Sequence, residues 1–223
     1  MATRMNTAYR YPADCPETFP VFPLPEALLL PRGQLPLNIF EPRYIDMVDE
    51  ALRTSRVIGI VQPNDDENAA VPKLYKVGCA GRLTQFSETG DGRYLITLVG
   101  MARFQIIEEV ETATTFRQVR ASFEPFARDF IPNDGEQYVD RDNVLRMLRD
   151  FAMATDIEID WQGIERTPNE ALVNALSMMS PYGVKEKQAL LEAETLKDRA
   201  ETLIAITEIE LARLAGVSDQ TLQ

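Results

Sequence analysis

Asp156, Glu158 and Asp160, the carboxylates of the segment DIEID, have the type and spacing for general acid and base work. Against that reading, the chain carries 35 Asp and Glu residues, enough to bring three together by coincidence. The segment NDDEN, Asn64 to Asn68, could offer oxygen ligands to calcium. It lacks the spaced ligands and late bidentate glutamate of an EF-hand loop, so it reads as a solvated loop. The sequence contains no histidine, which excludes Ser-His-Asp and Cys-His machinery and zinc sites built on imidazole. No GxxxxGKS/T segment is present to cradle phosphates. Gly90 and Gly92 fall in a hairpin and Gly78 and Gly81 flank a strand, so neither pair opens a helix as a dinucleotide loop must. Cys15 and Cys79 are too few for a disulfide scaffold and do not form CxxC; they read as a tail thiol and a small core residue. No catalytic residue, metal or cofactor is therefore expected.

The elements around these residues follow from composition and pattern. At 223 residues and 45% hydrophobic, the chain can bury a substantial core as one large domain or two small ones. Apolar runs such as ALLL, Ala27 to Leu30, fall far short of the roughly 20 residues that cross a bilayer. The N-terminus lacks the apolar centre of a secretory signal, so a cytoplasmic location is expected and no membrane partner. A net charge of −12 opposes phosphate backbones, which excludes nucleic acid as the expected partner. The charge is uneven: Met1 to Arg120 is net −2 and Ala121 to Gln223 net −10, which places a boundary near residue 120.

The first half reads as β structure. RVIGIVQP, Arg56 to Pro63, is one strand, and two apolar-rich stretches flank the turn ETGDG, where Asp91-Gly92 supplies a left-handed backbone. Tyr94, Ile96 and Leu98 share one strand face and Leu95 and Val99 the other, which predicts a strand enclosed on both sides. A break at Gly100 separates it from a third strand in GMARFQIIEEVE, and FRQVRASFE offers a fourth. The prolines at 20, 23, 25, 31 and 36 confine their segment to sheet edges or turns. Pro42 starts a short helix with Ile45, Val48 and Leu52 on its apolar face.

The second half reads as helical. Val144, Leu148 and Phe151, with Leu145 and Ala152 beside them, mark one helix. Thr167 and Glu170 form a capping box ahead of a helix whose expected buried stripe is Leu172, Ala175, Leu176 and Met179. A final helix is expected over residues 185–215, roughly 45 Å long, with Leu196, Ala200, Leu203, Leu211 and Leu214 inward and Gly216 as its cap. Met153, Met178 and Met179 are expected in the core as members of helical stripes. An acidic outer face, Glu192, Glu194, Asp198, Glu201, Glu208 and Glu210, reads as a solvated surface.

LPLNIFEPRY, Leu35 to Tyr44, and GMARF, Gly100 to Phe104, together with the C-terminal KEKQALLEAETLKDRAETLIAITEIELARL, carry a resemblance. The chain resembles the N-terminal domain of the ATP-dependent Lon protease, especially stand-alone bacterial relatives of that domain, over residues 18 to 215. The resemblance implies an α+β fold: a PUA-like β-barrel with a flanking helix, followed by a C-terminal helical bundle with a long final helix. The expected boundaries are a tail at 1–17, the barrel at 18–122, the helical part at 123–216 and a second tail at 217–223. In Lon this region is implicated in recognising substrates and in assembly, whereas ATPase and Ser-Lys peptidase modules do the work. The chain stops after the first region, so neither ATP hydrolysis nor peptide cleavage is expected of it. PUA-like barrels often bind RNA, but the acidic balance argues against carrying that over.

The expected function is then a non-enzymatic module of protein quality control that recognises exposed or unfolded polypeptide segments, with a homo-oligomer as one arrangement. Pro31, Leu35, Phe40 and Tyr44 are the binding candidates beside a groove, although Phe40 is also expected in the core. Pro36, Glu41, Pro42, Arg43, Gly100, Arg103 and Phe104 are read as building the fold, with Arg43 pairing to a nearby carboxylate or carbonyl. One alternative is a small-ligand sensor or enzyme with a pocket between barrel and helices, which an enclosed cavity with convergent polar groups would favour over an open apolar patch. Another is an accessory factor docking on a protease or chaperone through its acidic helix.

Overall fold

The computed structural model describes residues 8–64 and 72–220. After a 3-10 turn at Pro12–Asp14 come β1 (Thr18–Pro23), β2 (Gln34–Ile39), α1 (Pro42–Arg53), β3 (Val57–Val61), β4 (Pro63–Asn64) and β5 (Lys73–Leu74). They are followed by β6 (Val77–Glu88), β7 (Tyr94–Val110) and β8 (Gln118–Ser122). Every later element is helical: 3-10 segments at Glu124–Phe130 and Glu136–Tyr138, then α2 (Arg141–Thr155), α3 (Trp161–Arg166), α4 (Asn169–Met179), α5 (Val184–Glu192) and α6 (Leu196–Gln220).

The sheet closes on itself. β7 pairs along its length with β6, which pairs with β3; β3 runs parallel to β1, β1 pairs with β8, and β8 returns to the second half of β7. The fold is thus α+β, a barrel followed by helices. β7 serves two neighbours because it does not break at Gly100, as the pattern suggests, but runs on through a bulge. Ala80 pairs with Ala102 and Gly81 with Gly100, leaving Met101 as the extra residue. The part of β7 before the bulge carries β2, paired among the described residues only with β7, so Pro36 sits on an edge strand where a missing N–H is tolerated. Pro20 and Pro23 lie instead in an interior strand. β1 gives its first half to β8 and its second to β3, so each proline falls at the end of a pairing segment. In the β6–β7 turn Gly90 and Gly92 take the positive φ, while Thr89 and Arg93 close the hairpin.

Inside the barrel, Phe104 packs edge-on to Phe19 at 5.0 Å between ring centres, among Val21, Val57, Ala102 and Val119. The other apolar cluster runs from Met47, Val48 and Ala51 of α1 through Leu28–Leu30 to Val144, Val173, Leu190 and Leu203 of the helices. The expectation that β7 is enclosed on both faces fails near Tyr94. Leu95 is 48% exposed, since among the described residues only β2 and β6 flank that end and none covers its outer side; full enclosure is confined to Ala102, Arg103 and Phe104.

The helical half departs from its pattern at three points. The expected final helix is two helices, α5 and α6, broken at residues 193–195, and its capping box lies at Thr195 and Asp198, whose side chain and backbone exchange bonds of 2.7–3.1 Å. Those bonds hold the Asp198 carboxyl below its usual range. The expected box at Thr167 and Glu170 does not form, because Glu170 is drawn to Arg32 and Thr167 Oγ1 instead donates to Gly163 O at 2.8 Å. Gly216 does not end α6, which continues to Gln220; one glycine costs a helix only about 1 kcal/mol.

Lys187 is buried and closes α4 from below, its Nζ donating to Ser177 O at 2.9 Å and Met178 O at 2.7 Å. Burial pushes its ammonium down from the ordinary 10.5 to about 8. The unfolded chain therefore holds this proton more tightly than the folded one. The contribution is an undiminished penalty below about pH 8 and is relieved as pH rises from about 8 towards 10.5. Urea unfolding of the wild type should accordingly gain stability relative to Lys187→Met between pH 7.5 and 9.5, by at most about 1.4 kcal/mol per pH unit. Parallel pH profiles for the two proteins would refute this.

Candidate functional site

Two places in the molecule gather side chains that the barrel and helices position together. The first is a polar junction beneath the turn at Pro31–Gly33. Arg32 takes a left-handed φ of 64°, donates its N–H to Gly100 O and receives the clamp of Gly100 N on Gly33 O, both at 2.8 Å. Its guanidinium pairs with the Glu170 carboxylate and reaches Asp129 O at 2.6 Å. Beside it, Arg103 is buried and forks onto Asp129 at 2.8 and 2.9 Å while its backbone N–H meets the same carboxylate. Its remaining donors go to the carbonyls of Leu191, Ala193 and Glu194 at the end of α5. Arg199 of α6 donates to Leu190 O and to Asn174 Oδ1, and Asn174 in turn donates to Pro31 O at 3.2 Å. The cavity here is about 320 Å³, but Arg103 and Asp129, like Arg32 and Glu170, are spent on one another. The junction thus holds the helices to the barrel and presents no free reactive pair.

The second place is an apolar groove of about 420 Å³ on the helical half, walled by α2, the loop after it, α4 and α6. Its walls include Phe151, Ile157, Ile159, Leu172, Leu176 and Met179. α4 explains why it is open. Of the expected buried stripe Leu172, Ala175, Leu176 and Met179, Leu172 is buried and Leu176 half-buried, but Ala175 and Met179 are exposed, and the inward face also carries Glu170, Val173, Asn174 and Ser177. The polar side is inward because Glu170 and Asn174 complete the junction with Arg32 and Arg199. The apolar stripe lines the groove, from Leu172 buried at its base to Met179, 82% exposed. The methionines are corrected too: Met179 faces out on α4, Met153 is 83% exposed on α2, and of the three only Met178 is tucked away, against Gly33.

The residues singled out from sequence do not converge. Pro31 is buried in the junction, whereas Leu35 is half-buried on β2, and six strand residues, about 20 Å, separate Pro31 from Phe40. Phe40 is 63% exposed rather than in the core, since it follows the last residue of an edge strand and precedes the helix start at Glu41. Tyr44 packs on Phe22 at 4.2 Å, and Arg43 lies 4.6 Å above its ring while pairing with Glu41 at 2.8 Å. Neither the junction nor the groove is lined by Leu35, Phe40 or Tyr44. DIEID, set aside as coincidence, contributes Ile157, Glu158 and Ile159 to the groove. Apolar residues alternating with acids in a loop between helices were its one visible signal. The NDDEN loop from 65 onward lies outside the described residues. Burial pushes the Cys15 thiol up to about 12 and the Cys79 thiol up as well, so neither is a ready nucleophile.

Among the described residues no group of three or more Cys, Asp or Glu could hold a metal ion, and no helix is long and apolar enough to cross a membrane. Comparison with solved structures gives the Lon N-terminal domain protein from Xanthomonas campestris, at a TM-score of 0.59 and 21% identity over 84% of this chain and 97% of that one. It also gives the N-terminal domain of the Mycobacterium avium complex Lon protease, at 0.64 and 18% over 86% and 98%. Among curated proteins, the Lon protease of Anaeromyxobacter dehalogenans is 25% identical over 94% of this chain and 25% of its own length. Lon protease 2 of Myxococcus xanthus is 30% identical over 50% of this chain and 14% of its own length. The chain thus spans about a quarter or less of these relatives. The family model described as the ATP-dependent protease La (LON) substrate-binding domain matches residues 18–208, and the chain belongs to that family.

Proposed function

We propose that this chain is a non-catalytic polypeptide-recognition module of the cytoplasm, similar to the substrate-binding domain of Lon, and that exposed apolar segments dock in the groove between α2, α4 and α6. The observation that carries this is the outer part of the apolar stripe of α4, Ala175 and Met179, exposed to solvent while the polar side is committed to the junction. An open apolar surface suits an extended or unfolded segment better than a small ligand. Protein quality control, with a protease or chaperone acting beside the chain, is the setting this reading fits. A barrel part at 18–122 that supports a helical part at 123–216 belongs to the same reading. Of Pro31, Leu35, Phe40 and Tyr44, Phe40 supplies a second contact, for which its exposure is the support.

The test is a titration of a labelled unfolded protein and its folded counterpart by fluorescence anisotropy. Saturable binding of the unfolded form alone is expected. Met179→Ser, at a side chain 82% exposed and so harmless to folding, should weaken it about tenfold, because burying a large apolar side chain is worth about 1.5 kcal/mol or more. Phe40→Ala reports on the second contact. Equal binding of both forms, or unchanged affinity in Met179→Ser, would count against the groove.

A further inference from the structure

We infer that the polypeptide segment taken by the groove is apolar at its centre and basic at its flank; this rests on the reading of the groove as the docking site. Among the described residues, Glu158 is the single charged side chain on the groove's walls, which contain no Lys or Arg. It stands between Ile157 and Ile159, both of which line the groove, with Asp156 and Asp160 one residue further out on either side. None of these three carboxylates is in an ion pair among the described residues. Arg166, the cation nearest in sequence, is exposed in the last turn of α3 and in no ion pair with them among the described residues, and two further arginines are engaged elsewhere. Arg149 lies 5.3 Å over the Trp161 ring, and Arg141 donates to the carbonyls of Ile164, Glu165 and Thr167. Asp160 also accepts from Gly163 N at 3.1 Å as the cap of α3, which fixes that end of the rim. Asp156 is held at a φ of 53°, so the turn that presents the rim is a defined backbone feature.

Seating an apolar segment here brings its flanking side chains against unpaired carboxylates. A flanking Glu or Asp meets like charge, and a flanking Lys or Arg meets opposite charge at the edge of a low-dielectric surface. The helical half adds a net charge of −10 that steers cationic segments towards this side of the molecule. Exposed charge pairs are each modest, so two such pairs give about tenfold discrimination, and salt removes most of it.

The experiment uses the full chain and three labelled peptides sharing one Leu- and Phe-containing centre, flanked by Lys, Gln or Glu pairs. At low salt the Lys-flanked peptide should bind about tenfold tighter than the Gln-flanked one, and the Glu-flanked peptide weakest. The preference should shrink below twofold in about 0.5 M salt and in the double variant Asp156→Asn, Glu158→Gln. That variant keeps the fold, because asparagine tolerates the left-handed backbone at 156 and residue 158 is exposed. Equal affinities for all three peptides, each lowered by Ile157→Ser, would overturn the charge preference and leave the groove standing. A preference that survives the double variant places the charge elsewhere on the chain and overturns it too. Peptide affinities untouched by both Ile157→Ser and Met179→Ser would overturn the groove itself.

Discussion

Arg103→Met lowers the unfolding free energy by about 3–5 kcal/mol and moves the urea midpoint down accordingly. Arg103 and Asp129 are both nearly fully buried and bonded in a two-pronged fork, and removing one partner leaves the other charge buried without compensation. Replacing both is far cheaper in general than replacing one. Arg103→Met combined with Asp129→Leu should therefore recover part of the loss. Recovery stays incomplete, because the guanidinium also satisfies the carbonyls of Leu191, Ala193 and Glu194, which lie where α5 ends and α6 begins. Since α6 is a wall of the groove, the single variant should also bind apolar peptides more weakly under conditions where it is still folded. A single variant within about 1 kcal/mol of wild type would sink the assignment of Arg103 as the clasp between barrel and helices.

Gly100→Ala has the next largest effect, a loss of about 3 kcal/mol or more. A Cβ at residue 100 would stand 2.0 Å from Leu30 O and 2.7 Å from Leu30 C. The obstacle is backbone, and it cannot swing aside: Leu30 O accepts from Gly33 N at 2.9 Å, and the same turn is clamped to Gly100 through Arg32 N and Gly33 O. Leu29 and Leu30, both buried, would be levered out of the core with it. For a chain of this size the thermal midpoint should fall by about 6–12 °C. Gly90→Ala is the control. Its φ of 77° carries strain of about 1–2 kcal/mol, but nothing lies within 4 Å of the added carbon. Equal losses for the two variants would show that backbone conformation, not the close approach of the Leu30 carbonyl, makes glycine necessary at 100.

These two positions give the motif GMARF a physical meaning. Gly100 seats the turn before β2, Arg103 ties the helices to the barrel, and Phe104 fills the barrel interior. LPLNIFEPRY divides in the same way. Pro36 suits an edge strand and Pro42 the first position of α1, whereas Phe40 is left facing solvent. Shared residues here specify architecture first, which is why candidates drawn from the motif scatter over the molecule instead of meeting in one pocket.

What the sequence determined by itself is what depends on neighbours along the chain. Proline positions, the period-two strands, the Gly90–Gly92 hairpin, the start of α1 and the change from barrel to helices near residue 120 were all legible there. The resemblance carried by its two motifs supplied the fold. Tertiary structure alone decided which face of α4 is buried, where the last helix breaks and where the open apolar surface lies. Helical periodicity identifies an apolar stripe but assumes that it faces inward. In α4 that assumption holds for Leu172 but fails for Ala175 and Met179, because the partners of its polar face, Arg32 and Arg199, come from 138 residues earlier and 25 residues later in the chain. Buried polar groups need their partners in place, so Glu170 and Asn174 go in, and the outer part of the stripe, Ala175 and Met179, faces the solvent at the groove.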